Sequence, residues 1–164
     1  MNARLLNPAG NEKGATAVEF AIVLPLLLLV VFGVIEWGLY MYNRQVITNA
    51  AREGARYGVL MRKAPREVTN TDEDLAIKAR VLEFAETYLV TFGTDKLEEA
   101  DVIITRTDEV GNKLSEDDAG YLLEDWFEFG SELTIEFDYE YKFLYLSTFI
   151  GKLTITGAST MRME

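Results

Sequence analysis

Two carboxylates bracket a run of residues in which ionised groups are costly. In "GATAVEFAIVLPLLLLVVFGVIEWGLYMY", Gly14 to Tyr42, Glu19 stands five residues after Gly14, and Glu36 follows seventeen residues later. Between them, Phe20 to Ile35 are sixteen uncharged residues, nearly all large and apolar. A buried, isolated carboxylate in such surroundings costs several kcal/mol unless a cation or hydrogen-bond donor meets it. Glu19 therefore asks for a partner. Glu36 falls on a different helical face and reads as the far interface of the run.

Other chemistry is sparse. The chain has no histidine and no cysteine. That removes the commonest general base, thiol nucleophiles, disulfides and Cys-based zinc sites. An enzyme would have to work with carboxylates, Lys, Tyr or Ser alone, for example as a carboxylate-pair glycosidase. The expectation is no enzyme, no catalytic residue, no cofactor and no metal. The acidic run "SEDDAGYLLEDWFE" offers oxygens for calcium but lacks the spacing of an EF-hand loop, so it reads as a solvated loop. Trp126, Phe127 and Phe129 beside it read as a small core cluster. Arg52 and Arg56, one turn apart, read as surface residues.

Charge divides the 164 residues. Residues 1–66 hold eight Lys/Arg against four Asp/Glu, and residues 67–164 hold eight against twenty-three. An acidic C-terminal part excludes a nucleic-acid partner, whose phosphates need Lys and Arg.

The elements that position these groups follow from pattern. Phe20–Ile35 as a helix spans about 24 Å, and the flanking residues extend it past a hydrocarbon core of about 30 Å. Trp37, Tyr40 and Tyr42 suit an aromatic belt at its far end. Pro25 is tolerated there, because membrane helices can re-satisfy the carbonyl it frees. The run exceeds a secretory h-region, so it reads as a retained anchor. Beyond Tyr42 the helix continues to Met61, with Pro65 as a stop. Ala50, Gly54 and Gly58 at four-residue steps form a small-residue stripe that admits a close neighbour, either this protein's own sheet or another helix.

A second helix is expected in "TNTDEDLAIKARVLEFAETYLVTFG". Asn70 or Thr71 is its cap, and Asp72, Glu73 and Asp74 sit at its positive end. Leu75, Ala79, Leu82, Ala85 and Leu89 are its buried stripe, widened by Val81, Phe84 and Tyr88, and Gly93 is its stop. "ADVIITRT" is a strand. "SELTIEFDYEYKFLYL" alternates, with Leu133, Ile135, Phe137, Tyr139, Tyr141, Phe143 and Tyr145 on one face and Thr134, Glu136, Asp138, Glu140 and Lys142 on the other. "KLTITGASTMRM" is a last strand, with Gly157 as a bulge or close approach. The class is α+β: a long N-terminal transmembrane helix continuing into a small domain with a second helix and an antiparallel sheet of about three strands.

The residues Gly14–Phe20 resemble a type IV prepilin processing site, with a polar leader, a glycine, a glutamate at the fifth mature position and an apolar helix. With "AAREGARYG" and the terminal "TITGASTMRME", the chain resembles the TadE-like pseudopilins of tight-adherence (Tad/Flp) pilus systems. The resemblance implies a leader over 1–14, a transmembrane helix over 15–42 and an extracytoplasmic domain over 43–164. It implies cleavage between Gly14 and Ala15, and glycine suits an unhindered, extended scissile bond. It implies that Glu19 pairs with the terminal amine of a neighbouring subunit. The implied partners are a prepilin peptidase, other pilin-like subunits and an inner-membrane assembly platform. The implied location is the bacterial inner membrane, with the C-terminal domain outside, or the pilus after processing. Charge alone leans the other way, because Arg44, Arg52, Arg56, Arg62, Lys63 and Arg66 follow the span. The alternative is an uncleaved, single-pass, membrane-anchored extracytoplasmic binding domain.

Overall fold

The structure, a computed structural model, describes residues 12–61, 70–91, 97–115, 130–145 and 147–162. The expectations for Pro65, Gly93, residues 116–128 of the acidic run, and Trp126, Phe127 and Phe129 lie outside the described residues.

Helix α1, Glu12–Met61, is 50 residues long and holds Pro25 in its interior. At about 1.5 Å per residue it measures roughly 75 Å. Helix α2 is Asn70–Tyr88. Strands β1 (Val102–Thr107), β2 (Lys113–Ser115), β3 (Glu132–Lys142) and β4 (Lys152–Arg162) form one antiparallel sheet in the order β2-β1-β3-β4. A short helix, α3, Ser147–Ile150, connects β3 to β4, and a 3-10 turn at Glu99–Asp101 leads into β1. The fold is the expected α+β arrangement with one addition. β2, which pairs with β1, was not expected from the sequence. Three residues are too few to show a period, so the fourth strand left no pattern to read.

The β1–β2 turn is held by Asp108. Its carboxylate accepts the backbone N–H of Val110 and Asn112 at 3.0 and 2.7 Å and the Asn112 side-chain amide at 2.7 Å. These bonds, the Asn112 side chain first, hold the Asp108 carboxyl below its ordinary range. Gly111 takes φ +95°, which a side chain would resist.

β3 alternates as expected. Leu133, Ile135, Phe137, Tyr139, Tyr141 and Phe143 are buried, and Glu136, Asp138, Glu140 and Lys142 are exposed. The strand ends at Lys142, and Tyr145 is exposed rather than continuing the inward face. The inward face covers the C-terminal half of α1. The core joins Ile47, Ala50, Ala51 and Ala55 of α1 and Ile77, Val81 and Ala85 of α2 to the inner face of the sheet.

α2 runs antiparallel to α1. Asn43 holds the chain just past its end, donating from Nδ2 to the Val90 carbonyl at 2.7 Å and accepting the Val90 N–H at 3.1 Å. The buried face of α2 differs from the expected stripe. Leu75 and Ala79 are exposed, while Glu73, Asp74, Ile77, Val81 and Ala85 are buried. Arg106 explains the rotation. It lies fully buried on β1 and pairs with Asp74 and, at 3.4 Å, with Glu73. These two acids, read as favouring the helix dipole, turn inward to meet a buried guanidinium.

Candidate functional site

Functional geometry is concentrated on α1. It is the one helix among the described residues long and apolar enough to cross a membrane, and its most apolar window is not covered by the rest of the chain. Residues 14–31 are exposed throughout. Such a surface is stable in lipid and unstable in water, so the helix fits a single-pass membrane anchor.

Gly14, Ala15 and Glu19 lie on the first turns of this exposed helix. The helix begins at Glu12, so the backbone across Gly14–Ala15 is helical rather than extended. Glycine disfavours helix by about 1 kcal/mol, too little to stop a helix flanked by good formers. Ala15 and Glu19 are four residues apart and therefore share one face.

The stripe at Ala50, Gly54 and Gly58 is buried inside the molecule. A Cβ on Gly54 would strike Val81 Cγ2 and lie 3.0 Å from Ile135 Cδ1. One on Gly58 would lie 2.5 Å from Leu133 Cδ2 and 2.6 Å from Ile77 Cδ1. Of the two readings of the stripe, packing against the protein's own elements is the one the geometry fills. Those elements are α2 as well as the sheet.

At the boundary between span and domain stands a cluster that the residue pattern did not disclose. Glu36 is buried, and both its carboxylate oxygens accept the Tyr145 backbone N–H, at 3.0 and 3.1 Å. The Tyr145 ring stacks on Phe32 with centroids 4.5 Å apart. Tyr40, expected in a lipid-facing belt, instead stacks on Phe143 and meets Tyr141 edge-on, at 6.2 and 5.6 Å. Trp37 and Tyr42 remain exposed. Glu36 is thus an internal clamp rather than a solvated interface residue. The missed signal was the length match between β3 and α1. From Leu133 to Tyr145 is twelve steps of about 3.3 Å, and from Phe32 to Gly58 is twenty-six of about 1.5 Å, each roughly 40 Å. An antiparallel strand beginning at Gly58 must therefore end near Phe32 and Glu36.

Elsewhere, a groove of about 440 Å³ lies between α1 and α2, lined by Glu53, Tyr57, Ala76, Ala79, Arg80 and Glu83. Arg80 bridges Glu53 at 3.1 Å and Glu83 at 2.8 Å, and these bonds, Glu83 first, raise the guanidinium above its ordinary value. One guanidinium thus faces two carboxylates in the groove. Arg52 and Arg56 are exposed.

A family model described as TadE-like protein matches residues 14–56. Residues 14–56 are TadE-like. The match begins at Gly14, takes in Glu19, the whole exposed span, Glu36 and the Ala50–Gly54 part of the stripe, and ends before Gly58. The terminal "TITGASTMRME", the other end of the resemblance, lies outside it. No curated protein and no solved structure matches the chain. The TadE-like segment therefore combines two functions of one helix, an apolar span and the ridge on which the domain is built.

Proposed function

We propose that this chain is a pseudopilin or minor pilin of Tad-type pilus assembly, cut after Gly14 by a prepilin peptidase. The observation that carries the reading is the TadE-like match starting at Gly14 and running through the exposed span. Cleavage leaves Ala15 as a cationic amine one turn from Glu19, both on the open surface of α1. A second pilin-like subunit docked alongside brings its own amine to Glu19 and neutralises two charges that are each costly in lipid. The domain lies outside the inner membrane, and the assembly platform acts on the span. No residue of the chain performs catalysis.

Because the backbone at Gly14–Ala15 is helical, the peptidase must unwind the first turn. Only about one turn precedes the bond, and terminal turns fray readily. The same helical continuity is what favours the second reading, an uncleaved membrane-anchored binding domain.

Mass spectrometry of the membrane-extracted chain, coexpressed with its prepilin peptidase, separates the two. A mature N-terminus at Ala15, abolished by Gly14→Val, is the expected result. An intact chain beginning at Met1 overturns the proposal. Given cleavage, Glu19→Leu is expected to leave processing intact and impair subunit association. Unimpaired association would defeat the pairing role.

A further inference from the structure

The connection between β3 and β4 is chemically unlike the rest of the domain. Residues 143–151, "FLYLSTFIG", carry no charge, in a chain of which 26% is charged. The segment is flanked by Lys142 and Lys152, which are cross-strand partners. Lys142 is exposed, and Lys152 reaches Glu140 at 2.6 Å. Near its start Leu144 and Tyr145 are 45% and 53% exposed, an adjacent pair at the surface.

Its position decides what it faces. The Tyr145 ring stacks on Phe32, which belongs to the exposed apolar run of α1, and the Tyr145 amide is held by Glu36 at the end of that run. Counting from Ala15, twenty-one helical residues to Ile35 cover about 31 Å, the thickness of a hydrocarbon core. Phe32 and Tyr145 therefore sit at the depth where hydrocarbon gives way to headgroups. Tyrosine with an apolar body and polar tip, beside leucine and backed by lysine, is the side-chain set that this layer favours.

We propose that Leu144 and Tyr145 form an interfacial wedge that seats the domain on the lipid bilayer beside α1, with Lys142 at the level of the lipid phosphates. The occupant of this surface is lipid because it continues the lipid-facing surface of α1 without a break. The inference rests on α1 being a membrane anchor. It moves the exit of the helix from Tyr42 to about Glu36, and residues 37–61 of α1 then belong wholly to the domain. It also gives Glu36 a role: its carboxylate is shielded from hydrocarbon by the segment it clamps.

The absence of cysteine allows direct measurement. Single Leu144→Cys, Val110→Cys and Val30→Cys variants of the full chain carry a nitroxide label in nanodiscs of phosphatidylcholine and phosphatidylglycerol. Val110 is 86% exposed in the β1–β2 turn, at the opposite end of the sheet. Accessibility to a water-soluble nickel complex is compared with accessibility to oxygen. The expected result is nickel accessibility at Leu144 several-fold below that at Val110, with oxygen accessibility raised toward the value at Val30. If Leu144 is as nickel-accessible as Val110 while Val30 is protected, the wedge is overturned and the anchor stands. If Val30 is also nickel-accessible, both are overturned.

Discussion

Gly157 of β4 packs directly on the backbone of Ile47 in α1. A Cβ at Gly157 would lie 2.5 Å from Ile47 Cγ2, 3.0 Å from its carbonyl oxygen and 3.2 Å from its carbonyl carbon. Gly157 pairs in unbroken register with Phe137, so it marks a close approach and not a bulge. This contact lets the sheet lie flat against the helix that carries the exposed apolar run.

A side chain at Gly157 is therefore expected to push the sheet off α1. The neighbouring carbonyl belongs to a helix in mid-run and cannot retreat as a flexible side chain can. Gly157→Ala is expected to destabilise the detergent-solubilised chain by about 1–3 kcal/mol, the usual cost of overpacking. Chemical denaturation followed by circular dichroism reads this. An unchanged midpoint would show that the sheet accommodates a methyl group by sliding.

Gly54 and Gly58 should behave differently although they share one stripe. The obstacle at Gly54 is Val81 Cγ2, on a stiff β-branched side chain, whereas at Gly58 it is the far ends of Leu133 and Ile77. Replacing glycine by alanine within a helix gains about 1 kcal/mol of intrinsic preference. Gly58→Ala should thus come out near neutral, and Gly54→Ala should be destabilising by about 1–2 kcal/mol net of that gain. Val81→Ala introduced with Gly54→Ala should recover part of the loss. Equal costs at the two positions would argue against this account.

Arg106 forms the one buried ion cluster among the described residues, facing Asp74 and Glu73 across the interface between β1 and α2. Arg106→Met leaves two carboxylates buried beside each other and is expected to cost about 3–5 kcal/mol. Replacing all three residues by Met, Leu and Leu should restore most of that stability, because well-packed apolar groups commonly substitute for a buried ion cluster. Thermal unfolding of both variants tests the pair of expectations. A triple variant as unstable as the single one would show that the cluster specifies how α2 docks.

The residue pattern disclosed what depends on period and composition. The apolar run of α1 and the alternation of β3 were written into local sequence, and Gly157 was marked as either a bulge or a close approach. What it did not disclose depends on meetings between distant residues. The buried face of α2 was misjudged because Leu75 looks more apolar than Asp74, yet Arg106, thirty-two residues later, decides which of them turns inward. Tyr40 looked like a belt residue because its partners Tyr141 and Phe143 lie about a hundred residues away. Glu36 looked like a solvated residue until β3 was laid along α1. The start of α1 at Glu12, ahead of Gly14, was not legible, since one glycine does not set a helix boundary.

Tyr141 supplies a pH-dependent prediction. Its hydroxyl is buried and finds no hydrogen-bond partner among the described residues. Burial, followed by the nearby Glu36 carboxylate and Tyr139, pushes its phenol above the ordinary value of about 10. Since the folded value is the higher one, this tyrosine's contribution is fully present below pH of about 10 and is lost as pH rises through the folded value. Tyr141→Phe removes the titrating group and the unpartnered hydroxyl while keeping the edge-on ring contacts with Tyr40 and Phe143, at 5.6 and 5.2 Å. The variant is expected to be more stable by about 1 kcal/mol at neutral pH, with a shallower decline above pH of about 10. Denaturation midpoints measured from pH 7 upward provide the check. A loss of stability at neutral pH would mean that the hydroxyl is bonded. An unchanged alkaline slope would mean that some other group governs the decline.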